Sequence, residues 1–528
     1  MNKKIVASLG LLLSPFAAFA NNLIVCTEAS PDGFDVVQFN SLVTTQASAD
    51  VIFNGLVRYD ETEKSVKPSL AKNWTISDDG LTYLFDLHDN VVFHSNKSFT
   101  PSRTLNADDV LFSFNRMLDK NHPWHKVVGA TGFPHAQSFG LAELIKSIEK
   151  TGTHQVKIEL TRPDATFLPL LTMGFTSIYS AEYADLLAKE NRFNELNTQP
   201  IGTGPFSLRQ YTKDANIRYI AHKEYFEGEP PVKQLVYAIT PDAAVRTQKV
   251  EAGECHIAVA PKPSDVKLAI EKQHINVNQV PAFSTAYVAL NTQKAPFDNV
   301  LVRQAVNYAF DKKSYNQAVF EGTAIEANTP YPPNTWSFND KIIPYEYNVE
   351  KAKSLLEQAG LKDGFKTTIW VRPTGSVLNP NPKLGAEMLQ ADLKKVGIDA
   401  SIQVIEWGEL IQSAKKGEHD ILFMGWGGDN GDPDNFLTPQ FSCNAVQSGT
   451  NFARFCDQKL HGLIEQGKTT SDIATRTALY EEAQQIIHDQ ALWIPLAHPT
   501  ASTLLRKEVK GYQTSPFARQ HLSQVSVE

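Results

Sequence analysis

The feature that most constrains this chain is a regular alternation of strand-like and helix-like stretches in its second half, ending at a glycine-rich acidic loop. Ser284 to Asn291 reads as a strand. Asn299 to Ala309 reads as an amphipathic helix, with Val302, Ala305, Val306 and Ala309 on one face. Val349 to Ala359 is a second helix, closed by Gly360, and Leu384 to Val396 another, closed by Gly397. Strands are predicted at Thr367 to Val371, Ser401 to Ile405 and Ile421 to Met424, with a helix at Leu410 to Lys416 and a late strand at Trp493 to Ala497. This rhythm predicts an α/β fold with a parallel sheet covered by helices.

Ligands of such sheets bind beyond the carboxyl ends of the strands. Two loops qualify. One runs from Arg372 to Ser376. The other is Gly425 to Phe436, GWGGDNGDPDNF. Its four glycines permit close backbone approach. Asp432-Pro433-Asp434 has the pattern of a helix start, with Asp432 as the N-cap and Pro433 at the first helical position. That leaves Asp429 outside the cap, a carboxylate suited to an ammonium group. Trp426 is a candidate pocket wall and Gly428 a candidate backbone contact. Arg372 is a candidate cation, so the two loops together would suit a zwitterion.

The start of the chain carries a different signal. Lys3 and Lys4, an apolar core from Ile5 to Phe16 and Ala18-Phe19-Ala20 predict a secretory leader cleaved after Ala20. No cysteine stands at the cut, so no lipid anchor is expected. No later apolar run is long enough to span a bilayer. The formal net charge of −8 becomes two units more negative once Lys3 and Lys4 leave. That acidic balance argues against nucleic acid as a partner.

Four cysteines, Cys26, Cys255, Cys443 and Cys456, in an exported chain predict two disulfides. Three pairings are open. A local Cys443–Cys456 loop is the simplest, which leaves Cys26 with Cys255. No CxxC pair exists, so a zinc site is not expected.

In the first half, Asn22 to Cys26 reads as a strand leading to Gly33, a turn residue and candidate ligand contact. Ala47 to Leu56 reads as a helical patch, Leu81 to Leu87 and Gln155 to Leu160 as strands, and Asn106 to Val110 as a helix start. Ile201 to Phe206, IGTGPF, is a tight glycine turn without the residues of a phosphate loop. His122 and His125 flank Pro123 and Trp124, which favours a loop over a metal site. Crossings near Pro281 and Pro499 would hinge two lobes, the first over residues 21–281 with 500–528 returning to it, the second over 282–499.

Several of these stretches together are those of a known family. LAKNWTISDDGLTYLFDL, LNADDVLFSF, IGTGPF, DNVLVRQAVNYAFDKK, AEMLQADLKKVG, MGWGGDNGDPDNF and RKEVKGY span the mature chain. The chain resembles the periplasmic solute-binding proteins, family 5, of peptide-type ABC transporters, and within them the dipeptide binders and their heme-binding relatives. The resemblance implies two lobes closing on a ligand, the pairs Cys26–Cys255 and Cys443–Cys456, and Asp429 as holder of a peptide ammonium. It implies a monomer without cofactor or catalysis that delivers short peptides to a membrane permease driven by ATPase subunits. One departure stands out. The arginine that holds the ligand carboxylate falls on Ser376, just before Asn379-Pro380-Asn381. Serine offers no bidentate fork. Arg372 could take that role, or the ligand could be another molecule, such as heme or a cationic peptide.

Overall fold

The computed structural model describes residues 22–528 except Asn40, Thr374 and Gly449; the leader reading for residues 1–20 lies outside them. Two large mixed sheets divide the chain. The first has seven strands, in the order Ile275–Pro281, Thr500–Arg506, Ile257–Val259, Asn22–Thr27, Gln234–Ile239, Asn216–Ala221 and Phe206–Thr212. The second has six, in the order Ile325–Glu326, Trp493–His498, Ser284–Leu290, Ile421–Gly427, Lys366–Val371 and Asp399–Val404. A four-stranded antiparallel sheet, in the order Ala71–Ile76, Thr82–Leu87, Gln155–Leu160 and Ile145–Gly152, packs with the first body. The chain passes between the two sheets after Pro281 and again after His498. The fold is α/β and two-lobed, with these two passages as the hinge.

Capping explains the helices of the second body. The side chains of Asn299, Asn348 and Asn381 each accept a first-turn backbone N–H, from Leu301, Lys351 and Leu384. Gly360 and Gly397, at φ +76° and +87°, end two of these helices in the left-handed region.

The expected parallel sheet is only partly present. Lys366–Val371 pairs in parallel with Asp399–Val404 and Ile421–Gly427, whereas Ser284–Leu290 runs antiparallel to Ile421–Gly427 and to Trp493–His498. The hinge is the reason. The chain enters this body along Ser284–Leu290 and leaves it along Trp493–His498, so those two strands must run oppositely. Because Gly427 pairs with Ser284, the carboxyl ends of the parallel strands point back at the hinge.

The helix expected over Ala47 to Leu56 lies earlier, at Leu42–Ala47, capped by Ser41. Val51, Ile52 and Phe53 are all buried, leaving no polar face. Their backbone is used elsewhere: Phe206 N donates to Val51 O and Gly204 N to Ile52 O. A Cβ on Gly202 would sit 2.1 Å from Ile52 O, which explains the glycines of IGTGPF.

Cys26 is bonded to Cys255 and Cys443 to Cys456. The first ties the strand Asn22–Thr27 to the turn just before its sheet neighbour Ile257–Val259, across 229 residues of sequence. The second closes a short loop behind the helix Asp434–Phe441. Among the described residues no helix is long and apolar enough to cross a membrane.

Candidate ligand-binding cleft

The strand directions decide where the functional loops emerge. Residues 428–433 leave the second sheet at the hinge and enter the space between the bodies. Gly428 N donates to Phe283 O at 2.8 Å, and a Cβ on Gly428 would lie 2.4 Å from the Phe283 ring. Gly428 therefore serves backbone packing. Gly431 sits at φ +70°, where its Cβ would fall 2.2 Å from Cζ of Tyr59, in the strand Val57–Asp60 of the first body. Asn430 Nδ2 reaches Met173 Sδ at 3.9 Å, and Ala165 N donates to Lys468 O at 2.6 Å. These contacts join the two bodies, so the cleft is closed.

Asp429 lines a cavity of about 100 Å³ between the bodies, with Leu42, His135, Met173 and Phe175 from the first and Arg519 from the C-terminal tail. The residue is exposed to this cavity, while the protein around the cavity desolvates its carboxyl. That setting pushes its carboxyl up to about 6, with Arg519 opposing the shift. Asp429 N donates to Asn435 Oδ1 at 3.3 Å. Among the described residues, its carboxylate oxygens accept no hydrogen bond. A carboxylate held this way favours a cationic donor from a ligand.

A second cavity, of about 410 Å³, shares Leu42 and Arg519 with the first. Ser376 lines it. The Ser376 turn is closed on itself: Ser376 N donates to Asn379 O at 2.9 Å, and Asn379 N donates to Ser376 Oγ at 3.2 Å. Arg372 lines neither cavity. Its guanidinium lies over the Trp407 ring, 4.6 Å from the centroid.

Trp426 faces elsewhere. It lines a third inter-body cavity of about 580 Å³ with Asp164, Asp434 and Lys468, and its Nε1 donates to Asn435 Oδ1 at 3.3 Å. Burial pushes the Asp434 carboxyl up to about 7, against the pull of Lys468. Asp432 accepts Asp434 N at 2.9 Å, as a cap does, but the helix starts at Asp434, one residue later than Pro433 suggested. Asp432 also holds Arg476 through both of its oxygens, at 2.9 and 2.8 Å. Gly33 is away from all three cavities. A Cβ there would meet Oδ1 of Asn197 at 2.1 Å, and Phe34 N and Asp35 N donate to that same oxygen.

His122 and His125 line none of these cavities. His122 Nδ1 accepts Trp124 N, His125 Nδ1 lies 3.2 Å from Arg116 O, and Trp124 packs in the core against Phe193. Among the described residues no cluster of His, Cys, Asp or Glu is placed to hold a metal. The titratable residues of the Asp429 cavity that sequence reasoning missed are His135 and Arg519. His135 stacks on Phe175, and burial lowers its imidazole to about 4. Nothing in its local sequence marks it, and Arg519 lies in a polar tail without periodicity.

Comparison with known proteins identifies the family. Residues 65–448 match the model for bacterial extracellular solute-binding proteins, family 5. The chain is 59% identical over 527 residues to probable di/tripeptide-binding protein 5 of Pseudomonas aeruginosa, covering 99% of each chain. It superimposes on HbpA2 from Haemophilus parasuis with a TM-score of 0.89 at 39% identity, covering 96% of this chain and 100% of that one. With the dipeptide-binding protein of Pseudoalteromonas sp. SM9913 in complex with Met-Leu, the TM-score is 0.85 at 34% identity, with the same coverage. The chain belongs to the family 5 bacterial extracellular solute-binding proteins.

Proposed function

We propose that this protein captures di- and tripeptides between its lobes and delivers them to an ABC permease and its ATPase subunits. The carrying observation is Asp429, a carboxylate that has no hydrogen-bond donor among the described residues and faces a cavity between the lobes. It anchors the peptide ammonium, and closure strengthens the contact by excluding water. A di/tripeptide-binding relative at 59% identity and a neighbour that holds Met-Leu support the same ligand class. The lobes are 21–281 with 500–528, and 282–499. Export removes the leader after Ala20 and leaves a monomer in the periplasm. Capture involves no catalysis and no cofactor. The heme reading has no support at His122 or His125, which line none of the three cavities and whose Nδ1 atoms each serve a backbone group.

The test is mass spectrometry of small molecules released by denaturing the purified protein, followed by calorimetric titration of the peptides found. Recovery of two- and three-residue peptides with free amino termini is the expected result. Recovery of heme or another compound with no peptide, and no heat with any peptide, would overturn the reading.

Closure gives a second expectation. Gly431→Ala places a methyl group against the Tyr59 ring and strains a left-handed backbone. The closed state should be selectively penalised, weakening peptide binding by roughly 10- to 100-fold. Gly427→Ala is the control, because nothing lies within 4 Å of its Cβ position. Equal affinities for the two variants would show that this contact does not govern closure.

A further inference from the structure

We infer that Arg519, in the C-terminal tail, is the residue that grips the ligand's carboxylate, in place of the arginine that position 376 lacks. The inference rests on the peptide reading and names the second anchor of the same site. Arg519 lines both the Asp429 cavity and the larger cavity that Ser376 lines. It is the cation common to the two. Arg372 lies over Trp407, and Arg246, the other arginine of the larger cavity, donates to the backbone carbonyls of Thr240, Pro241, Val259 and Ala260.

The tail presents Arg519 rigidly. Gln46 Nε2 donates to Ala518 O at 2.6 Å, and Ala518 itself sits at φ +56°. Asp50, almost wholly buried, accepts Gln520 N at 2.9 Å and the Nε of Arg519. Among the described residues, neither terminal nitrogen of Arg519 has a hydrogen-bond acceptor. A guanidinium has five donors in a planar fork, so it serves Asp50 through Nε and a carboxylate through its outer edge. Asp429 and Arg519 on one cavity wall then match the two ends of a zwitterion. The larger cavity beyond Arg519 leaves room for a third residue.

The experiment titrates Ala-Ala and its C-terminal amide into the full-length mature protein and into Arg519→Gln. The wild type should prefer the acid by roughly 10- to 100-fold, the worth of a charge-assisted pair. Arg519→Gln should bring the ratio to about one while affinity for the amide stays near the wild-type value. A purely structural role would weaken both ligands together and leave the ratio intact, which overturns the inference. If Arg519→Gln fails to fold because Asp50 is left unpaired, Asp50→Asn with Arg519→Gln removes both charges and reads the same ratio. Wild type binding both peptides equally also overturns the inference. Wild type binding neither overturns the peptide reading itself, and the Arg519 assignment with it.

Discussion

Asp429→Asn is expected to cost peptide affinity on the order of 100-fold or more at pH 7.5, because it leaves the ligand ammonium desolvated beside an uncharged amide. Calorimetry with Ala-Ala reads the loss. The pH dependence makes the assignment specific. In the unliganded protein the Asp429 carboxyl titrates at about 6, raised first by its enclosure and lowered somewhat by Arg519. Binding needs the ionised form. Wild-type affinity should therefore be flat above about pH 7 and fall roughly tenfold per unit below about 6. The asparagine variant should show no such step.

The stability effect has the opposite sign. The folded carboxyl titrates above its unfolded value, so folding takes up a proton between about pH 4 and 6. The stability linked to that proton is present below about pH 4 and lost as the pH rises through 6. Unliganded Asp429→Asn should thus melt higher than wild type above pH 6 and equally at pH 4. A variant that binds peptides with wild-type affinity, or melts lower at pH 7.5, would remove Asp429 from its proposed role. The site then trades stability for a preformed charge, as functional sites do.

How far the sequence reveals this site depends on the range of the interactions involved. The elements between Ser284 and Gly427 are legible because their signals are local: caps at Asn299, Asn348 and Asn381, and left-handed glycines at 360 and 397. Asp429 stands out for a local reason too, since Asp432 accounts for the helix start. The direction of Ser284–Leu290 is not local. It follows from two hinge passages more than 200 residues apart in sequence, so the parallel rhythm around it misleads. Trp426 is three residues from Asp429 yet lines a different cavity, because the glycines between them turn the chain. Gly33 does answer a steric demand, but Asn197 makes it, from a distant segment. Arg519 is the extreme case. Its position depends on Asp50 and Gln46, which lie near the other end of the chain.

Arg476→Met carries the largest expected loss of stability. Arg476 lies in the helix Ile473–Asp489 and is nearly buried. It holds both oxygens of Asp432, donates through Nε to Gly467 O at 2.7 Å, and donates to the Tyr480 hydroxyl at 3.1 Å. Trp336 and Tyr480 supply aromatic faces about the guanidinium. Asp432 itself accepts Asp434 N, so one carboxylate links this helix to the helix start beside the ligand loop. Methionine keeps much of the volume but leaves Asp432 buried, unpaired and next to the Asp434 carboxyl. Breaking a buried pair from one side costs about 3–5 kcal/mol, more than the pair itself contributes. Urea unfolding of the second lobe should report that loss. Peptide affinity should fall as well, because residues 429–431 lose their fixed point at Asp432. Adding Asp432→Asn removes the stranded charge, so the double variant should recover most of the stability, an interaction of about 2–3 kcal/mol in the double-mutant cycle. It should recover less of the affinity, since an asparagine at 432 has no guanidinium to fix the loop. Additive losses in the cycle would mean that Arg476 stabilises the fold through Tyr480 and Gly467, with no role in positioning the ligand loop.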